Sequence, residues 1–372
     1  MNGLHYTGEQ QFMVWIAWVG SVAYSFGCYL NSVFRGINKF QYESAAVSAF
    51  NLVQFAGAVV LLLNGGSGVQ VLMLYASSRI LYVLISYYFF KVTFKGEFSP
   101  YNRRRIIELT KIMFPFGVHA ILGIVYLQVD TVFISYYWNS AEVGLYQAGM
   151  RMVVASMVLY EIATLAFYPL LSKSNEQEMP VFHKYSFSLQ KYMTLLGMAL
   201  ALPLLVFAEE IIPLLFGGTF ARAAHVVRLL AVVIFIRFFA AAYGVILTVS
   251  REQSKRALGV LISVVVNVIL NIFLVQWYGG VGAAITSIIT HVVLFAVYLF
   301  YAYKSVHRTF ITSNLVVALC MLCTIGAISY YMKPVHLTGA IIVLGVAMFG
   351  VVVLFLDETE KQRIRQFIHR LV

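Results

Sequence analysis

The chain has 372 residues, 61% hydrophobic and only 11% charged, with a mean hydropathy of +0.84 and a net charge of +11. A soluble domain is about 45–50% apolar and about 25% charged, so this composition excludes an ordinary soluble protein and implies one that crosses a membrane many times. The excess of positive charge does not imply nucleic acid, because the basic residues sit in short loops between apolar runs, as they do in membrane proteins.

A spanning helix needs about 20 mostly apolar residues. Eleven such runs follow one another: 11–33, 45–63, 69–92, 113–137, 146–171, 189–216, 225–249, 256–276, 280–303, 311–331 and 335–356. The expected fold class is an all-α polytopic membrane protein. The turns carry the usual punctuation, Asn64-Gly65-Gly66 after the second run and Gly279-Gly280 after the eighth. The N-terminus has no basic n-region and does not read as a cleaved signal peptide.

Lys and Arg set the orientation. One set of alternate loops holds Arg35, Lys39, the 91–111 cluster, Lys173, Lys184, Lys191, Arg251, Lys255, Arg256, Lys304, Arg308 and the basic end of the chain. The opposite set holds only Arg222 and Lys333. The positive-inside rule places the first set in the cytoplasm, the C-terminus with it and the N-terminus outside. An outside N-terminus is also what an odd number of missing preceding helices would give. Residues 357–372 close the chain with Ile364, Phe367, Ile368 and Leu371 at helical spacing, which reads as a basic amphipathic tail on the membrane surface or as a solvated one.

Ionisable residues inside apolar runs are costly, about 2.5–3.5 kcal/mol each on insertion scales, and mark functional candidates. In the fourth run Pro115, His119, Tyr126 and Asp130 share one helical face. Arg79 lies deep in the third run, Gln147 and Arg151 sit four apart in the fifth, Glu161 is mid-span there, and Arg237 is mid-span in the seventh. Each charge can pair with a neighbour and lock the bundle. Arg79, Arg151 and Arg237 taken together favour a water-filled cavity with a cationic lining, which selects anionic cargo, since the guanidinium fork fits phosphate oxygens. Asp130 and Glu161 are candidates for a coupling ion or for gating. Ser263, Asn267 and Asn271 form a stripe suited to interhelical hydrogen bonds. Arg228 and Glu142 lie near span ends and are expected to serve structure. The three cysteines lie in apolar runs, no metal or cofactor motif is present, and no HExxH, G-x-S-x-G or Walker sequence points to an enzyme or to ATP use.

The stretch VYLQVDTVFISYYWNSAEVGLYQAGMRM at 125–152, running into FYPLLSK at 167–173, resembles the bacterial polysaccharide flippases. These are the Wzx-type exporters of lipid-linked oligosaccharide within the multidrug/oligosaccharidyl-lipid/polysaccharide (MOP) superfamily. FRGINKFQYES at 34–44, FGGTFARAAHVVRLL at 216–230, NVILN at 267–271 and WYGGVGAA at 277–284 extend the resemblance over nearly the whole chain. It implies two bundles of six helices facing a central cavity, often with two further helices. On that pattern residues 1–100 are a partial first bundle of three spans, lacking three helices. Residues 101–308 are the second bundle, 309–356 two additional spans and 357–372 the cytoplasmic tail.

The implied cargo is an undecaprenyl-diphosphate-linked oligosaccharide, moved by alternating access across the bacterial inner membrane for O-antigen, capsule or exopolysaccharide. Membrane lipids and other polysaccharide-assembly proteins are the implied partners. The alternatives are a multidrug cation antiporter of the same superfamily, which calls for an acidic cavity; an inactive fragment; and a membrane polysaccharide polymerase, which calls for a large outer loop.

Overall fold

The structure, a computed structural model, describes residues 8–37, 39–94, 103–177, 179–306, 320, 323–324, 326–328, 330–331 and 337–355. It is all α-helical apart from turns: α1 (Gly8–Gly36), α2 (Phe40–Leu63), α3 (Gly68–Phe94), α4 (Arg103–Tyr137), α5 (Ser140–Gln177), α6 (Met179–Phe216), a 3-10 turn (Gly218–Ala223), α7 (Ala224–Val249), α8 (Gln253–Val306) and α9 (Leu337–Phe355). Among the described residues seven helices are long and apolar enough to cross a membrane: α1, α2, α3, α5, α6, the 3-10 turn with α7, and α8. The protein is therefore a multi-pass membrane protein.

The expectation of eleven spans is met in part. The runs 256–276 and 280–303 are the two helical halves of α8, which lie side by side because Gly279, with φ of 54° and ψ of −132°, reverses the chain where only glycine is comfortable. The run 113–137 begins ten residues earlier as a helix, because RRRIIELTK has helical propensity of its own. Most of run 311–331, and the tail 357–372, lie outside the described residues.

The chain divides into two compact units, residues 1–108 and 109–372. In the first, α1 lies close against α3 because Gly20 and Gly27, seven apart, leave room. A Cβ at Gly27 would stand 2.3 Å from the Tyr82 ring, and one at Gly20 3.1 Å from the Ala76 Cα. Tyr82, Ala46 and Phe50 are the core, and Asn31 Nδ2 donates to Ser86 Oγ at 2.7 Å between the two helices. The start of α3 is set by a capping box: Ser67 N donates to Gln70 Oε1 at 2.9 Å, and Gln70 N donates back to Ser67 Oγ.

In the second unit α7 is the central helix, packed by α5, α6 and α8. Its small residues Ala240, Ala241, Ala242 and Gly244 are buried, and Gly197 of α6 lets Phe238 approach to within 2.6 Å of where a Cβ would be. Between Pro203 and Pro213, α6 kinks at Phe207, as a helix does where prolines remove N–H donors. Asn139 caps α5 through Oδ1, which accepts from Glu142 N at 3.0 Å. The α4–α5 turn is fastened to the break in α8: Trp138 Nε1 donates to Val275 O at 2.7 Å, and Gly280 N donates to Glu142 Oε1 at 3.2 Å.

Candidate functional site

Asp130 is buried, only 3% exposed, in the second unit. Its carboxylate accepts four hydrogen bonds. Oδ1 takes Asn267 Nδ2 at 3.0 Å and Asn271 Nδ2 at 2.7 Å; Oδ2 takes Tyr146 Oη and Ser287 Oγ, each at 2.7 Å. The donors come from α5 and from both halves of α8. Asn271 Nδ2 also donates to Asn267 Oδ1 at 2.9 Å. All four donors are neutral, so the charge is satisfied by dipoles and no arginine closes on it. Buried oxygens without partners lie on the same two stretches of α8: Asn271 Oδ1, Ser263 Oγ and Thr286 Oγ1. The α8 stripe thus meets Asp130, a contact that spacing alone does not reveal.

One turn along α4 from Asp130, Tyr126 Oη lies 3.1 Å from His291 Nδ1, and that Nδ1 is also 2.7 Å from Ser287 O. Both residues line a cavity of about 340 Å³ inside the second unit, with Arg237, Arg256, Tyr160 and Tyr298. Arg237 is half-buried and donates from Nη2 to Met157 Sδ at 3.1 Å.

The three arginines read from the sequence are divided between the two units. Arg79 is in the first unit, half-buried, with its guanidinium carbon 4.0 Å from the centre of the Tyr75 ring and 4.3 Å from that of Tyr24. Arg151 is exposed on α5, as is Glu161. Gln147 Nε2 donates to Thr131 Oγ1 at 2.7 Å, tying α5 to α4 beside Asp130. The side chain of His119 lies outside the described residues. Arg228 pairs with Glu209 at 2.7 Å. Among the described residues no cluster of His, Cys, Asp or Glu is arranged to hold a metal.

The sequence reading missed His291, Ser287 and Tyr146. Ser287 and His291 stand four apart in TSIITHVV, and that spacing was their available signal.

Residues 9–175 match the model of a family described as polysaccharide biosynthesis protein. The probable low-salt glycan biosynthesis flippase Agl15 of Haloferax volcanii is 24% identical over 254 residues, 68% of this chain and 53% of its own length. The chain thus spans about half the length of that curated relative. Among solved structures, the lipid II flippase MurJ in an inward closed conformation aligns over 92% of this chain and 72% of that one, with a TM-score of 0.67 and 13% identity. At that identity the likeness is one of fold. The resemblance read from the sequence is borne out. Both are named as flippases, the first as a probable one.

Proposed function

We propose that the protein flips lipid-linked glycans across the membrane, with an oligosaccharide on undecaprenyl diphosphate as cargo, in the bacterial inner membrane, for O-antigen, capsule or exopolysaccharide. The observation that carries this reading is cationic. Arg79 and Arg151 lie in membrane helices, and among the described residues neither ion-pairs with a carboxylate. Unneutralised guanidinium groups within a bilayer call for an anion, and a diphosphate entering from the headgroup layer is one. Arg79 and Arg151 are the groups assigned to it. A multidrug cation exporter would need the opposite lining.

Translocation is by alternating access, the usual mode in transporters built of helical bundles. Asp130 is the coupling-ion residue in this reading. Turning over the amides of Asn267 and Asn271 would exchange two Nδ2 donors for two oxygens and convert the carboxylate cage into an oxygen site for a small cation. Glu161, exposed, is the candidate for gating. The basic loops face the cytoplasm, with the lipid-linked oligosaccharide, membrane lipids and polysaccharide-assembly proteins as partners.

The test is expression in a strain lacking its own polysaccharide flippase, scored by surface polymer, with proteoliposomes carrying a fluorescent lipid-linked oligosaccharide as the direct assay. Restored polymer that is lost in Arg79→Ala and Arg151→Ala supports the reading. Full activity in both variants, or no flipping in proteoliposomes by correctly inserted protein, overturns it.

A further inference from the structure

The cavity of about 340 Å³ lies wholly within the second unit, between α4, α5, α7 and the two halves of α8. Its lining includes two arginines, one histidine and three tyrosines, and no carboxylate. Arg237 donates to a thioether sulfur, a weak acceptor, so most of its five N–H donors have no strong protein acceptor. Arg256 donates from Nη1 to Thr248 Oγ1 at 2.7 Å, which holds its guanidinium at one end of the cavity.

His291 is the second, independent observation. It is only 6% exposed, and its Nε2 is buried without a partner. Ser287 O, 2.7 Å from Nδ1, is an acceptor only, so the proton sits on Nδ1. Nε2 is then an unpartnered lone pair on a residue that lines the cavity. A buried acceptor left unmade costs about 1–3 kcal/mol, which a ligand bearing an acidic O–H would relieve.

The position is also informative. Arg256 is about 5 Å along α8 from Gln253, whereas Arg237 is about 18 Å along α7 from Val249, at ~1.5 Å per residue. The cavity therefore runs from the unit's Lys255 and Lys304 end inward to the level just short of Asp130.

We infer that this cavity is a binding site for a phosphoryl anion, separate from the residues assigned to the cargo, with Arg237 and Arg256 holding its charged oxygens and His291 Nε2 sharing the proton of a P–O–H group. The chemistry is that of a free phosphate or diphosphate, or equally of a lipid phosphate headgroup reaching in from the basic-loop end. Fork geometry and charge select phosphoryl oxygens over neutral sugars, and the tyrosines supply further donors. Through Ser287, which bonds Asp130 by its hydroxyl and His291 by its carbonyl, occupancy is felt one turn from the carboxylate.

Binding is measured on the full chain without transport, so its outcome is independent of the flippase reading. One arm titrates inorganic diphosphate by calorimetry in detergent. The other compares thermal stability in phosphatidylcholine nanodiscs with and without phosphatidic acid. Saturable binding in either arm, weakened at least tenfold by Arg237→Gln and by Arg256→Gln but unchanged by exposed Arg222→Gln, supports the site, and the responding arm names the source. Arg237→Lys, which keeps the charge, should retain binding between those extremes, and monodisperse elution shows that each variant is folded. No saturable binding of either probe, or binding that Arg237→Gln leaves within twofold, overturns it.

Discussion

Replacing Asp130 by alanine removes an acceptor from four buried donors at once. Asn271 Nδ2 retains Asn267 Oδ1, and the hydroxyls of Tyr146 and Ser287 can rotate, so the worst loss falls on Asn267 Nδ2. A buried donor left unsatisfied costs about 1–3 kcal/mol, and relief of the buried charge offsets part of the sum. The expected loss is about 3–5 kcal/mol, the range found when one partner of a buried charged network is removed. At about 2–3 °C per kcal/mol this is a fall of roughly 6–15 °C in the midpoint of thermal unfolding in detergent. Asp130→Asn keeps one acceptor oxygen and turns the other into a donor, to which the hydroxyls of Tyr146 and Ser287 can respond as acceptors. It should cost less than half as much. An Asp130→Ala midpoint within 2 °C of the parent, or equal losses in the two variants, would refute the hydrogen-bond account.

Three further outcomes follow from the packing. Gly279→Ala should lose about 1–3 kcal/mol, because alanine is strained at φ 54° and its Cβ would meet Trp138 and Glu142 at 3.1–3.3 Å; protease sensitivity at the α4–α5 turn is the readout. Gly27→Val should destabilise the first unit by about 1–3 kcal/mol by forcing Tyr82 aside, seen as a lower unfolding midpoint. Arg79→Gln should cost about 1–2 kcal/mol through the lost ring contacts while abolishing polymer export, whereas Arg79→Lys should regain stability and little export.

The spans were legible because lipid-facing helices must be apolar throughout, and a run of about 20 such residues has few other readings. Gly279-Gly280 read as a turn between two spans, and the chain does turn there: a single glycine at positive φ folds the second half of α8 back on the first, with Val297 and Tyr298 against Gly259. The polar residues were legible as candidates but not as a constellation. Asp130 and Asn271 are 141 residues apart in sequence. Helical spacing fixes which residues share a face, not which face meets which. Arg151 and Asp130 both fall near one end of their spans, yet one is exposed and the other is enclosed by neutral donors. His291 carried no pattern beyond its distance from Ser287, and its importance comes from a cavity that only packing creates.

The hub around Asp130 has a consequence for how the chain is made. Its partners appear in translation order: Tyr146 is 16 residues downstream, Asn267 and Asn271 are 137 and 141, and Ser287 is 157. At about 5–20 residues per second, synthesis of that last interval takes roughly 8–30 s. Through most of it α4 carries a carboxyl group that has only one of its native donors. Nascent chains that stop before α8 therefore carry a half-built polar site, and the second half of α8 is the step that seals it. Such intermediates should be the ones held by membrane chaperones or taken by membrane proteases.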